Sequence, residues 1–319
     1  MNIKKTKYKD IEALELDCGD VVFKVIPKSG MKIASAIDKK SGFEFLHQNV
    51  KGLKKFIRPE YGKDFVEYET AGFDDMLPTI DPYYAEYPWD GVFIPNHGEV
   101  WCQQYKIEEL TDKSVTASVT GIRMPYTLTK KFTSDKSNVL HVEYTLKNPT
   151  KFDMDYIWAG HCMLNAQVGS RFITPDECKT GICIITDNDR IGKYGDKFNY
   201  PINTDKNGIT HDMSVMRDGS VCADEKYYFA ERLTKDGFLG VTYPENNLKY
   251  VMHFPTDVVP YVGILNDECG WDGMYLCILE PCTAPYDRPD LAKMHGYDKS
   301  VIKAGEELRW YVDVEISEI

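Results

Sequence analysis

The feature that most constrains this chain is a period of two in its apolar residues. Leu140, Val142, Tyr144 and Leu146 alternate with His141, Glu143 and Thr145, and only an extended strand sends successive side chains to opposite faces. Just upstream, Tyr126, Leu128, Lys130 and Phe132 keep the same spacing, and the polar residues Ser134, Asp135, Lys136, Ser137 and Asn138 separate the two runs. That pattern predicts an antiparallel hairpin. After Gly305 and Glu306 the chain closes on Leu308, Trp310, Val312, Val314 and Ile316, with Arg309, Tyr311, Asp313 and Glu315 between them. A terminal strand is expected there.

Helical spacing is scarce. Its best candidates are Phe73-Asp74-Asp75-Met76 and the segment Pro289 to Met294, both too short to shape the fold. Aromatic residues make up 13% of the chain, and 23 glycines and 16 prolines punctuate it at turn signals such as Lys28-Ser29-Gly30, Asp218-Gly219 and Lys235-Asp236-Gly237. These features predict an all-β fold, a large antiparallel β-sandwich. At ~150 residues per domain, two domains would fit. Yet no repeat, low-complexity tract or Pro/Gly/Ser linker interrupts the sequence, so a single domain over residues 1–319 is expected.

Composition narrows the partners. With 43% hydrophobic and 28% charged residues the chain can bury a large core, and its 38 basic against 50 acidic residues give a net charge of −12. No basic segment could track a phosphate backbone, so nucleic acid is not an expected partner. The basic N-terminus lacks the apolar run of a signal peptide, and no apolar stretch approaches the ~20 residues that span a bilayer. A soluble, cytoplasmic protein with no membrane partner is expected. The nine cysteines are odd in number and lack CxxC spacing, which suits a reducing compartment where cysteine serves as a small buried hydrophobe. Oligomeric state is not legible.

Three segments break the strand pattern with ionisable groups: Asn96-His97-Gly98-Glu99 with Trp101, Trp158-Ala159-Gly160-His161 with Asn165, and Leu279-Glu280-Pro281. A histidine beside glycine is more often a hydrogen-bonded turn residue than a catalyst. Glu280 is more unusual, because it ends an apolar run containing Met274, Leu276, Ile278 and Leu279, where a carboxylate is costly to bury. Trp101 and Trp158 could stack on a sugar ring or belong to the core. Asp74 and Asp75, with Asp81 and Asp90 nearby, read as a solvated acidic loop, without the ligand order of a calcium loop. Phosphate-binding, dinucleotide-binding, zinc-protease and serine-hydrolase motifs do not occur.

Taken in order, the three segments resemble the galactose mutarotase-like family, which includes the aldose epimerases. The resemblance extends to Phe23-Lys24-Val25-Ile26-Pro27 with Gly30, Lys32, Ile33 and Ile37, to Gly42-Phe43-Glu44-Phe45-Leu46, and to Gly305-Glu306 with Trp310. It implies a β-supersandwich that binds a small carbohydrate, with Glu280 as general base, His161 as general acid and His97 as a substrate-positioning residue. Asn96, Trp101, Trp158 and, by position only, Asp224 are the further candidate sugar contacts. No cofactor or metal is implied, because interconverting anomers needs only proton transfers at the anomeric hydroxyl and the ring oxygen. This chain departs from the family pattern in having Cys162-Met163-Leu164 where aromatic residues are usual, and Gly72-Phe73-Asp74-Asp75 where an arginine is usual. The leading expectation is an epimerase of a free aldose. The alternatives are a non-catalytic sugar-binding protein and an epimerase of a phosphorylated hexose, for which Arg58, Arg123 and Arg171 could supply a phosphate clamp.

Overall fold

The computed structural model describes residues 1–49, 54–297 and 300–319. The alternating runs form antiparallel ladders, with Thr127–Thr133 paired to Val139–Lys147 in the register Leu128↔Leu146 and Phe132↔Val142. The terminal strand Glu307–Glu318 pairs on the other edge of Val139–Lys147, setting Val142 opposite Val312. Among the described residues these three strands lie inside an eight-stranded sheet that runs from Phe172–Ile173 to Lys106–Leu110.

An eleven-stranded sheet, counted among the described residues, packs against it. Its middle runs Lys32–Asp38, Phe73–Met76, Ala159–Asn165, Tyr275–Cys282, Tyr261–Glu268 and Ala223–Phe229. Side chains from both sheets meet in one core: Phe73, Cys162, Leu164, Tyr227, Cys277 and Leu279 from the larger, Phe132, Leu140, Val142 and Val312 from the smaller. Alternation then sends Met163, Leu276 and Ile278 to the opposite, outer face of the larger sheet, where Phe65, Trp101 and Cys102 cover them. The middle of this sheet is therefore buried on both faces, which is why Ala159–Asn165 and Tyr275–Cys282 read as nearly continuous apolar runs.

The segment Phe73–Met76 is a strand, not a helix. Four residues cannot offset the cost of helix nucleation, whereas here they fill a slot between Ile33 on one side and the Ala159–Asn165 strand on the other. The acidic-loop expectation for Asp74 and Asp75 fails for the same reason: each is 1% exposed. Asp75 points between the sheets, where its Oδ2 accepts a 2.5 Å bond from Lys130 Nζ and its Oδ1 accepts a 3.1 Å bond from Trp158 Nε1. Asp74 points outward and is ion-paired with buried Lys32. Asp81 and Asp90 do lie exposed.

Pro289–Met294 forms the expected short helix. All nine cysteines are free, and seven are buried. Among the described residues no helix is long and apolar enough to cross a membrane.

Breaking a buried ion pair leaves a charge without compensation and costs ~3–5 kcal/mol. Lys130→Met should therefore lower the urea midpoint strongly, and adding Asp75→Asn, which removes the stranded charge, should recover much of the loss. Equal midpoints for the wild type and the single variant would show that the pair contributes nothing.

Candidate active site

The outer face of the larger sheet carries one row of side chains running across the strands. The pairings Ala159↔Cys282 and Cys162↔Leu279 set His161 directly across from Glu280. The same row continues to Asp74 on one side, and to Gly263 and Tyr228 on the other. Neighbours in such a row have Cα atoms ~4.5–5.5 Å apart. Two residues 119 positions apart in sequence (280 − 161) thus become cross-strand partners.

Glu280 is 1% exposed, and its Oε2 accepts a 3.1 Å hydrogen bond from the Tyr228 hydroxyl and lies 3.1 Å from Lys226 Nζ. Both donors also reach Asp287 Oδ1, each at 2.7 Å. Gly263 makes this possible: a Cβ there would lie 2.6 Å from the Tyr228 ring and 3.2 Å from Glu280 Oε2. Burial pushes the Glu280 carboxyl above its ordinary pKa, and the Lys226 ammonium opposes the shift. Burial also works against the Lys226 charge, but the carboxylates of Asp287 and Glu280 outweigh it and hold the ammonium above its ordinary range.

His97 reaches the same face from a tight turn. Its φ is +58° and that of Gly98 is +72°, and a Cβ on Gly98 would sit 2.1 Å from the Leu77 carbonyl oxygen, so only glycine fits. The His97 and His161 rings meet edge to face with centroids 5.0 Å apart. Phe65 stacks on His97 at 4.2 Å and meets His161 edge-on at 5.0 Å. Asn96 Oδ1 lies 2.6 Å from His97 Nδ1 and accepts from the Phe65 backbone N–H at 3.3 Å. With that oxygen as acceptor, Nδ1 carries the hydrogen and Nε2 presents a lone pair. Among the described residues His161 Nδ1 is buried without a hydrogen-bond partner, a costly arrangement that a ligand could relieve.

An imidazole titrating near neutrality is not what this environment produces. Burial, aided by Lys226 and Lys32, pushes His97 down to about 3, and burial, His97 and the two lysines hold His161 well below its ordinary value. Both rings are neutral at physiological pH, and the nearby cations are Lys226 and Lys32.

The remaining sequence candidates divide. Trp101 lies at the site but is 2% exposed, packed edge-on behind Phe65 at 5.2 Å and 6.2 Å from the His97 ring. Trp158 is not a sugar contact: it is fully buried between the sheets against Tyr144 and Trp310, with its indole N–H held by Asp75. Trp158 stands three residues before His161, so alternation sends it to the face of Cys162, opposite His161. Asp224 shares the outer face with Lys226, two residues on, but its neighbours are Asp187 and Asp267. Burial and the Asp187 carboxylate push it up to about 7.

Sequence reasoning missed Lys226, Tyr228, Asp287 and Phe65. Lys226 did leave a trace, as a lone ammonium before Tyr227-Tyr228-Phe229 in a strand that must be buried. Among the described residues no three His, Cys, Asp or Glu side chains converge as metal ligands do.

No protein-family model matches the chain, and no curated protein matches it in sequence. Solved structures do match, over almost the whole length. A galactose mutarotase-like protein from Clostridium acetobutylicum superposes with a TM-score of 0.68 at 14% identity, covering 99% of this chain and 98% of its own. A galactose mutarotase related enzyme from Lactobacillus acidophilus gives 0.64 at 14% identity, covering 99% and 97%. The Slr1438 protein of Synechocystis sp. PCC 6803 gives 0.69 at 12% identity, covering 98% and 99%. The fold is that of the galactose mutarotase-like proteins, as the resemblance in sequence implies.

The imidazole environment has a direct spectroscopic consequence. In two-dimensional nitrogen–proton spectra, His97 and His161 should keep neutral-ring nitrogen shifts from about pH 8 down to about pH 5, through the range where a free histidine gains its proton. A midpoint near 6.5 for either ring would show that its charged form survives burial.

Proposed function

We propose that this protein is an aldose epimerase, interconverting the α and β anomers of a free sugar by general acid/base catalysis. The observation that carries this reading is the cross-strand pair of His161 and Glu280 on one dry sheet face, with His97 against the first. A carboxylate and an imidazole held across from each other match the two proton transfers of anomerisation. Glu280 takes the proton of the anomeric hydroxyl as the bond from C1 to the ring oxygen breaks, and the N–H proton of neutral His161 goes to that ring oxygen, the imidazolate it leaves being stabilised by the Lys226 and Lys32 ammonium groups that act on the ring. Rotation about C1–C2 exposes the other face of the aldehyde, and closure runs both transfers backwards, returning each residue to its starting state.

His97 Nε2 accepts a hydrogen bond from a sugar hydroxyl, orienting the ring between the pair, and Asn96 fixes the tautomer that makes this possible. Lys226 and Tyr228 hold the Glu280 carboxylate in place. The names of the structural neighbours support the same class of chemistry, since one is a galactose mutarotase related enzyme.

Charge favours a neutral sugar over a phosphorylated one. Lys226 already serves two carboxylates, and Arg171 is bound to Asp212 and Ser214 at the surface. Arg58 and Arg123 are exposed, and the second donates its backbone N–H to Glu99. A phosphate beside Glu280 and Asp287 would meet like charge.

Freshly dissolved single anomers of a panel of aldoses should lose their excess optical rotation faster with the protein present. Glu280→Gln should reduce that turnover by ~10²–10⁴-fold, the usual contribution of one acid/base group, while His97→Ala should chiefly weaken sugar binding. A folded protein that binds a sugar without hastening its mutarotation would be a binding module instead.

The pH profile follows from the same groups. A base with a raised pKa is lost as pH falls through that value, so kcat/KM should decline on the acid side with a midpoint above the ~4.3 of free glutamate. No second inflection should appear at the histidine value. A limb near 6.5 that survives in Glu280→Asp would assign the titrating group to an imidazole.

A further inference from the structure

Seven of the nine cysteines are buried, and the remaining two, Cys222 and Cys269, are neighbours. Cys222 immediately precedes the strand Ala223–Phe229, and Cys269 immediately follows Tyr261–Glu268. These strands are antiparallel, with Ala223 opposite Glu268, and a further bridge joins Ala223 to Cys269, so the two cysteines flank the end of one ladder.

The local contacts agree. Cys222 Sγ lies 3.3 Å from the Cys269 carbonyl oxygen. Cys269 Sγ packs on Gly219, where a Cβ would approach to 2.7 Å, and the Cys222 backbone N–H donates to the Gly219 carbonyl at 3.2 Å. The glycine-bearing turn Gly219–Val221 thus packs on the Cys269 thiol and leads directly into the exposed Cys222. Both cysteines also have left-handed backbones, with φ of +51° and +67°, a setting uncommon for a residue with a side chain and worth reading for function.

We propose that Cys222 and Cys269 are a redox-active pair that forms a reversible intrachain disulfide with a peroxide as oxidant. The exposed Cys222 thiolate attacks the peroxide, forming an S–O bond as the O–O bond breaks, and the departing oxygen takes a proton to leave as water or an alcohol. Cys269 then attacks the resulting sulfenic sulfur as its thiolate, so that the S–S bond forms, the S–O bond breaks and the oxygen leaves as water once protonated. Two thiols lose two electrons, and the peroxide gains them. The bond would tie together the ends of the two strands that present Lys226 and Gly263 to Glu280.

The full-length protein, treated with hydrogen peroxide and then alkylated without reduction, provides the test. The expected product is a monomer lighter by about 2 Da before alkylation, whose peptide map joins Cys222 to Cys269 and which thiol reductants return to the starting mass. Cys269→Ser should leave Cys222 as a sulfenic acid that dimedone captures, and Cys222→Ser should remove the cross-link. The inference is overturned if Cys222 gains about 32 Da as a sulfinic acid while Cys269 stays free, if the disulfide joins two chains, or if both thiols remain unchanged. The parent peptide map decides the matter without either variant.

Discussion

Everything on the outer face of the larger sheet follows from one constraint: a charge removed from water must find an opposite charge close by. Asp74 and Asp75 are consecutive on one strand, so the pleat sends them to opposite faces, and each ends beside its own lysine, Lys32 outside and Lys130 between the sheets. Burial on this dry face pushes Asp74 up to about 6 even with Lys32 beside it. Glu280 and Asp287 obey the same rule by sharing Lys226. An apolar cover over this face raises every interaction within it, attractive or repulsive.

That dryness decides the chemical character of the histidines. An exposed imidazole would be partly charged near neutral pH, but here the rings pack against Phe65 and each other, with two ammonium groups in range. Neutral rings offer a lone pair and an N–H, which suits the uncharged substrate of the proposed function. Phe65 links cover and site, since its backbone N–H binds the Asn96 oxygen that sets the His97 tautomer.

The structural neighbours share 12–14% of residues with this chain while superposing over nearly all of it. A sandwich asks mainly for apolar side chains of suitable volume at alternate positions, a requirement that very many sequences meet. The site tolerates less freedom. Gly98 and Gly263 are held by contacts that even a Cβ would violate, at 2.1 Å and 2.6 Å.

The sequence by itself determined the strands whose period of two exceeds four residues, including the 127–147 hairpin and the closing strand, because alternation is a local property of an extended chain. It also singled out His97, His161 and Glu280, each as a polar interruption of an apolar context. Only the tertiary structure decided that Phe73–Met76 is a strand, since four residues have no period of their own and take the geometry of their neighbours. It alone placed Trp158 in the core and Trp101 behind Phe65, because which face a tryptophan meets depends on the register of its strand. Lys226 and Asp287 became partners of Glu280 for the same reason: a pairing between distant strands is set by the ladder connecting them, and nothing in the local sequence encodes it.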